Sequence, residues 1–317
     1  MAKYRNQLPQ LSGGFFIISG GLETYLVHQK GMNLPYFAAI CAMKDQSGCK
    51  FIKDYLSTFV LLAQKYGVGV ILQSPTWRAS PDWLKKLGYS DQDLLNINRQ
   101  AVDLLADIRE KHETVNSPII INGGIGPRGD GYNSTIIMSP DEAQTYHSAQ
   151  INALSQTKAD LITAFTLNYP EEAIGITRAA KAASMPIVIS FTVETNGQLP
   201  NGQSLKEAIE LVDNATEKTP IYYMINCAHT SAFEQFLNPE EAWVQRIRGF
   251  KGNASRKSHA ELNDSKELDD GDPVEFGQCN LALLNKLKNV NILGGCCGTD
   301  ARHVEETCKA CCKSRQS

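Results

Sequence analysis

No apolar run in this 317-residue chain approaches the ~20 residues a membrane-spanning helix requires, so no membrane partner is expected. The first ten residues are polar and lack the apolar core of a signal peptide. Net charge is only -3 and no basic stripe is interleaved with aromatics, so neither a polyanion nor a nucleic acid is an expected partner. Six histidines (28, 112, 147, 229, 259 and 303) form no H-x-H or H-E-x-x-H pattern, which argues against a histidine-ligated zinc hydrolase. The P-loop and dinucleotide glycine patterns are also missing. Without an internal repeat, low-complexity tract or linker, the chain reads as one domain over 1–317. Nothing in it sets an oligomeric state.

Cysteine, by contrast, is plentiful. Nine cysteines are an odd number in a large chain without an export signal, which favours a reduced, cytoplasmic setting. There, clustered cysteines more often mean metal or catalysis than disulfides. The unusual stretch is Gly294-Gly295-Cys296-Cys297-Gly298-Thr299. Neighbouring side chains of a strand face opposite ways, so this pair can act together only where the backbone turns. A metal held by both thiolates, a strained vicinal disulfide and a tight turn that happens to carry cysteine all fit the pair alone. Cys308, Cys311 and Cys312 read as tail residues, and Cys41, Cys49 and Cys279 as packing.

Short apolar runs recur along the chain at residues 15–18, 67–72, 118–121, 160–165, 186–191, 221–226, 244–250 and 290–293. Helical patterns separate most of them, including 45–66, 94–111, 171–183 and 204–214. Ser139-Pro140-Asp141-Glu142 is a helix start. Parallel β-α units of this number predict a (β/α)₈ TIM barrel, with a doubly wound open sheet as the alternative. The charged, irregular stretch 255–273 follows the seventh strand and reads as a solvated loop at the barrel mouth, or a lid over it.

A barrel brings the C-terminal ends of strands six and eight to one level. Cys227 ends the sixth run, while Cys296 and Cys297 follow the eighth. Three thiolates with one open position describe a catalytic zinc site rather than a closed structural one.

Ile225-Asn226-Cys227 followed by Gly294-Gly295-Cys296-Cys297-Gly298-Thr299 resembles the zinc-dependent homocysteine S-methyltransferases. The likeness covers almost the whole chain. Ser19-Gly20-Gly21-Leu22-Glu23-Thr24 is similar to the family's first loop and Gln73-Ser74-Pro75-Thr76 to its second. Gly123-Gly124-Ile125-Gly126-Pro127 is similar to the third-strand loop, and Gly202-Gln203-Ser204-Leu205 to a turn after strand five. The resemblance implies Zn²⁺ (Zn2+) on Cys227, Cys296 and Cys297. It also implies methyl transfer from a methyl-onium donor such as S-methylmethionine to a small thiol, homocysteine, giving methionine. Ser19, Gly20, Glu23, Ser74, Thr76, Phe165, Glu194, Asn226 and Asn253 are the expected substrate-side residues.

Two positions depart from the family. Ser19 and Phe165 stand where members carry the acids that hold the homocysteine amine. A buried ammonium without a carboxylate is costly. Either another acid (Glu23 or Glu194) substitutes, or the thiol is a different one; a zinc-retaining barrel that binds without turnover is the further alternative. Trp77 and Tyr222 could offer ring faces to an onium donor, although packing explains both. Arg128 and His229 read as ordinary loop residues.

Overall fold

Adjacent residues along the strands separate into two cores, as a closed sheet requires. The computed structural model describes residues 1–134, 137–265 and 267–313. Phe16, Ile18, Ile71, Ile120, Leu161, Val188, Tyr222, Met224 and Ile292 form the inner cluster, joined by Leu8 from the N-terminal segment. Their neighbours Ile17, Val70, Ile121, Ile162, Ile189, Tyr223 and Leu293 belong instead to the larger outer core. This alternation fills the barrel with one set and glues helices to it with the other.

Eight strands close in chain order: β1 (Phe16–Ile18), β2 (Gly69–Gln73), β3 (Ile119–Ile125), β4 (Leu161–Leu167), β5 (Ile187–Phe191), β6 (Tyr222–Asn226), β7 (Ile247–Gly252) and β8 (Ile292–Gly295). All pairings are parallel, including β8 back onto β1. The TIM-barrel expectation holds, and the open sheet is excluded by the β1–β8 pairing.

The crossover helices begin where local chemistry provides caps. Asp45 accepts from the Gly48 N–H to open Gln46–Tyr66, which stops at Gly67 in the left-handed region. Ser139 with Glu142, and Ser204 with Glu207, form capping boxes for Pro140–Ser155 and Leu205–Ala215.

Three boundaries differ from the sequence reading. The glycine stretch expected as a loop from residue 122 instead continues β3, because Gly123 and Gly124 pair with Ile162 and Thr163 of β4. Residues 244–246 form a 3₁₀ turn and β7 starts at Ile247; Trp243 and Ile247, four apart, are both buried as in a helical turn. Only 3₁₀ turns are described between β6 and β7, where a helix would complete the regular pattern. The stretch expected as irregular, 255–273, holds the short helix His259–Asn263 with its own Ser258–Glu261 capping box, and the helix Pro273–Lys286 follows it. Asp269 fastens the stretch through Ser255 Oγ at 2.8 Å and Lys257 Nζ at 3.3 Å.

Candidate metal centre and substrate cavity

At the C-terminal end of β6 the alternation breaks. Asn226 is an inward residue, so an extended chain would turn Cys227 toward the helices. Cys227 instead has φ +56°, in the left-handed region, and its sulfur joins the barrel mouth. On β4 a matching irregularity places Thr166 at φ +61°, where the register with β5 shifts. Asn226 holds both breaks. Its Oδ1 accepts from the Thr166 N–H (2.9 Å) and from Ser190 Oγ (2.5 Å), and its Nδ2 donates to Thr166 Oγ1 (2.9 Å).

Beyond β8 the chain turns through Cys296-Cys297-Gly298-Thr299. Thr299 closes that turn with its N–H and Oγ1, at 3.2 and 2.7 Å from the Cys296 carbonyl. Gly298 supplies φ +78°. A Cβ on Gly295 would lie 2.0 Å from Thr299 Oγ1, so the close approach needs glycine there. Cys296 N–H donates to the Gly252 carbonyl, and Ala254 N–H to the Cys297 carbonyl.

Asn253 joins the two cysteine loops. Its Nδ2 donates to the Cys227 carbonyl (2.9 Å) and its Oδ1 accepts from the Cys297 N–H (3.1 Å). As a result Cys227 and Cys296 sulfurs stand 2.8 Å apart, and all three sulfurs lie within 4.8 Å of one another. This is the one group of cysteine, histidine or acid among the described residues whose ligand atoms lie close enough to share a metal ion.

The donor set fits a tetrahedral thiophilic cation. Zn–S bonds of ~2.3 Å separate sulfurs by roughly 3.8 Å, between the 2.8 Å of the Cys227–Cys296 pair and the 4.8 Å that bounds all three. Contacts with Cys296 and Cys297 hold the Cys227 thiol well below its ordinary value, helped by the Tyr132 phenol and the charge of Lys251. The same contacts push Cys296 up to about 11 and Cys297 well above the thiol range. Three anionic sulfurs this close repel one another, and a bound dication removes that repulsion. Lys251, buried on β7 beside Asn226, adds a fixed positive charge.

The cysteines floor a cavity of about 550 Å³. Of the residues expected around it, Glu23, Phe165, Asn226 and Asn253 do line it. Glu23 is half-buried, and desolvation pushes its carboxyl up, only partly offset by Lys251 and Arg78. The other expected residues lie elsewhere. Ser19 is buried but does not reach the cavity, and Gly20 packs against the β8 turn, where a Cβ would meet the Thr299 carbonyl at 2.7 Å. Ser74 and Thr76 bond each other (2.6 Å) and the backbone of Gly124, so they brace the loop after β2. Glu194 sits behind the site, 3.3 Å from His259 Nδ1, while His259 Nε2 bonds the Cys227 carbonyl.

Several lining residues escaped the sequence reading. Tyr132 stacks on His259 with ring centres 4.1 Å apart and reaches Cys227. Arg78 lies between Trp77 and Trp83, its guanidinium carbon 3.9 and 3.7 Å from their ring centres. One face of Trp77 is therefore taken by a protein cation. Tyr222 belongs to the inner core and bonds Gln10, at the end of the barrel away from the cysteines, which removes it as an onium contact. The available signals were a lysine inside a strand and an arginine flanked by tryptophan, neither of which points to a site without the fold. Arg128 pairs with Asp82 at 2.8 Å and His229 caps a 3₁₀ turn, as ordinary loop residues do.

The family profile described as homocysteine S-methyltransferase matches residues 16–311. The chain belongs to that family. Membership makes it a thiol S-methyltransferase, with homocysteine the acceptor for which the family is named. Among solved structures, the fold is similar to the homocysteine methyltransferase MmuM of Escherichia coli. Its oxidized form aligns with TM-score 0.73 at 16% identity, covering 99% of this chain and 100% of that one. Its metallated form aligns with TM-score 0.71 at 16% identity, covering 94% and 97%. At that identity the likeness speaks to the fold. Among the described residues no helix is long and apolar enough to cross a membrane.

Proposed function

We propose that this protein moves a methyl group from a sulfonium donor of the S-methylmethionine kind to homocysteine, with Zn²⁺ held by Cys227, Cys296 and Cys297. The observation that carries this is the meeting of three sulfurs from two strand ends at the floor of one cavity. Bound there, zinc would stabilise the acceptor's sulfur as a thiolate that remains nucleophilic.

The chain's own residues do the rest. Asn253, Thr299 and Gly298 fix the cysteine loops in advance, so no reorganisation is needed at the moment of reaction. Phe165 and Trp77 supply apolar wall that keeps water from the reacting sulfurs. Glu23, half-buried and with no hydrogen-bonded cation of its own among the described residues, takes the substrate ammonium in place of the acids absent at Ser19 and Phe165. The acceptor thiol releases its proton to solvent, its sulfur forms a bond to the donor methyl as the methyl–sulfonium bond breaks, and the donor departs as a neutral thioether. Positioning two partners in line can supply about 7–11 kcal/mol of barrier lowering.

Elemental analysis of the purified protein should find one zinc per chain, with methionine formed from homocysteine and S-methylmethionine. Cys227→Ala should remove metal and activity together; full metal content in that variant would refute the ligand assignment.

A further inference from the structure

Two arginines in this molecule are equally buried, Arg78 at 6% exposure and Arg109 at 7%. Arg109 has the carboxylate of Asp160 at 2.6 Å. Arg78 has no carboxylate partner among the described residues; its guanidinium donates from Nη1 to the Gly129 carbonyl at 2.9 Å. A cation so far removed from water costs several kcal/mol unless an anion meets it. Asp130, whose charge bears on Arg78, is engaged by the Tyr132 N–H at 2.8 Å, and Glu23 lies farther than ion-pair distance. Arg78 nonetheless lines the cavity floored by the three cysteines.

Its placement is held from several sides. The loop after β2 is braced by Thr76 on Gly124 (2.6 Å), by Gln150 on the Thr76 carbonyl (2.8 Å) and by Asn98 on the Ala79 carbonyl (3.2 Å). The Trp77 and Trp83 rings both pack against the guanidinium. A planar fork held this way suits bidentate recognition of a carboxylate.

We propose that Arg78 receives the carboxylate of the amino-acid substrate. The proposal rests on the reading of Glu23 as the ammonium partner: Glu23 and Arg78 border one cavity and offer the two opposite charges a zwitterionic head group needs. Homocysteine and a methionine-derived sulfonium carry the same head group, so the substrate that uses Arg78 is decided by experiment.

The test compares zinc-loaded wild type with Arg78→Gln and Arg78→Lys. Acceptors are homocysteine and 3-aminopropane-1-thiol, which lacks the carboxylate. Donors are S-methylmethionine and (3-aminopropyl)dimethylsulfonium. Wild type should prefer the carboxylate-bearing member of one pair by about tenfold or more. Arg78→Gln should bring that ratio near one, and Arg78→Lys should recover part of it, with zinc content and thermal midpoint unchanged in the lysine variant. The pair whose ratio collapses names the substrate. Equal slowing of carboxylate-bearing and carboxylate-free compounds would overturn the proposal. Should wild type turn over no pair, the methyltransfer reading fails separately, and calorimetric titration with homocysteine and S-methylmethionine decides on Arg78: weaker binding of either to Arg78→Gln supports it, unchanged binding of both overturns it.

Discussion

At Asn253 one side chain spans two loops, bonding Cys227, 26 residues before it, and Cys297, 44 residues after it. Removing it leaves a buried Cys297 N–H without its acceptor and frees the two cysteine loops to drift. Asn253→Ala is therefore expected to weaken zinc binding about 10–100-fold, read by competition with a chromogenic chelator. Glu23 makes a different kind of demand. Its carboxyl is pushed up by burial, and an incoming ammonium reverses that penalty. Glu23→Gln should lower kcat/KM for homocysteine by about 1.5–3 kcal/mol, the worth of a hydrogen bond to a charged group. With 4-mercaptobutanoate, which has no amine, the same variant should match wild type; an equal loss on both thiols would exclude the ammonium role.

Among the elements, the turn after β8 is the most tightly specified. Gly295→Ala would set a Cβ 2.0 Å from Thr299 Oγ1 and push open the bond that closes the turn on Cys296. The expected result is a folded barrel with sharply reduced zinc content, seen by circular dichroism beside elemental analysis. Asp300 then starts the terminal helix Ala301–Lys313. Burial pushes its carboxyl up, but bonds to His303 and Arg302 outweigh that and hold it well below the usual carboxylate range. A carboxyl depressed in the folded state adds stability above its unfolded pKa of ~3.9, and the contribution disappears as pH falls through that value toward the folded one. Asp300→Asn should thus lower the melting temperature at pH 7 and converge with wild type near the acid limit, measured by thermal denaturation across pH.

For the molecule as a whole, the buried Arg109–Asp160 pair ties layers together at the end of the barrel opposite the cysteines. Asp160 also accepts from the backbone of Ile121 on β3 and of Tyr4 in the N-terminal segment. Replacing Arg109 by Ala strands a carboxylate with 0% side-chain exposure. Chemical denaturation should report a loss of about 3–5 kcal/mol. Zinc content and methyl transfer should persist at low temperature, because the pair touches no cavity residue.

Much of this was legible without coordinates. The eight apolar runs were fixed by local composition, the capped helices by Asp45, Ser139 and Ser204, and the cysteine triad by two motifs that a closed barrel brings to one end, with the left-handed backbone at Cys227 turning its sulfur inward. Strand ends were less legible where glycine carries no pattern, as at Gly123 and Gly124, and where a helical turn precedes β7. Of the cavity walls, the sequence reading reached Glu23, Phe165, Asn226 and Asn253 and missed the rest. Arg78, Tyr132, Lys251 and His259 come from four separate stretches, and their relation depends on how loops fold over the mouth. Periodicity reports which face of an element is buried; it says nothing of which loops meet, nor that Ser74, Thr76 and Glu194 would brace the site from outside while Glu23 entered it. Sequence alone thus determined the barrel and which three cysteines stand at the ends of its sixth and eighth strands, since both follow from short-range pattern and strand order. Tertiary packing decided which charges face the substrate, because that depends on contacts between residues far apart along the chain.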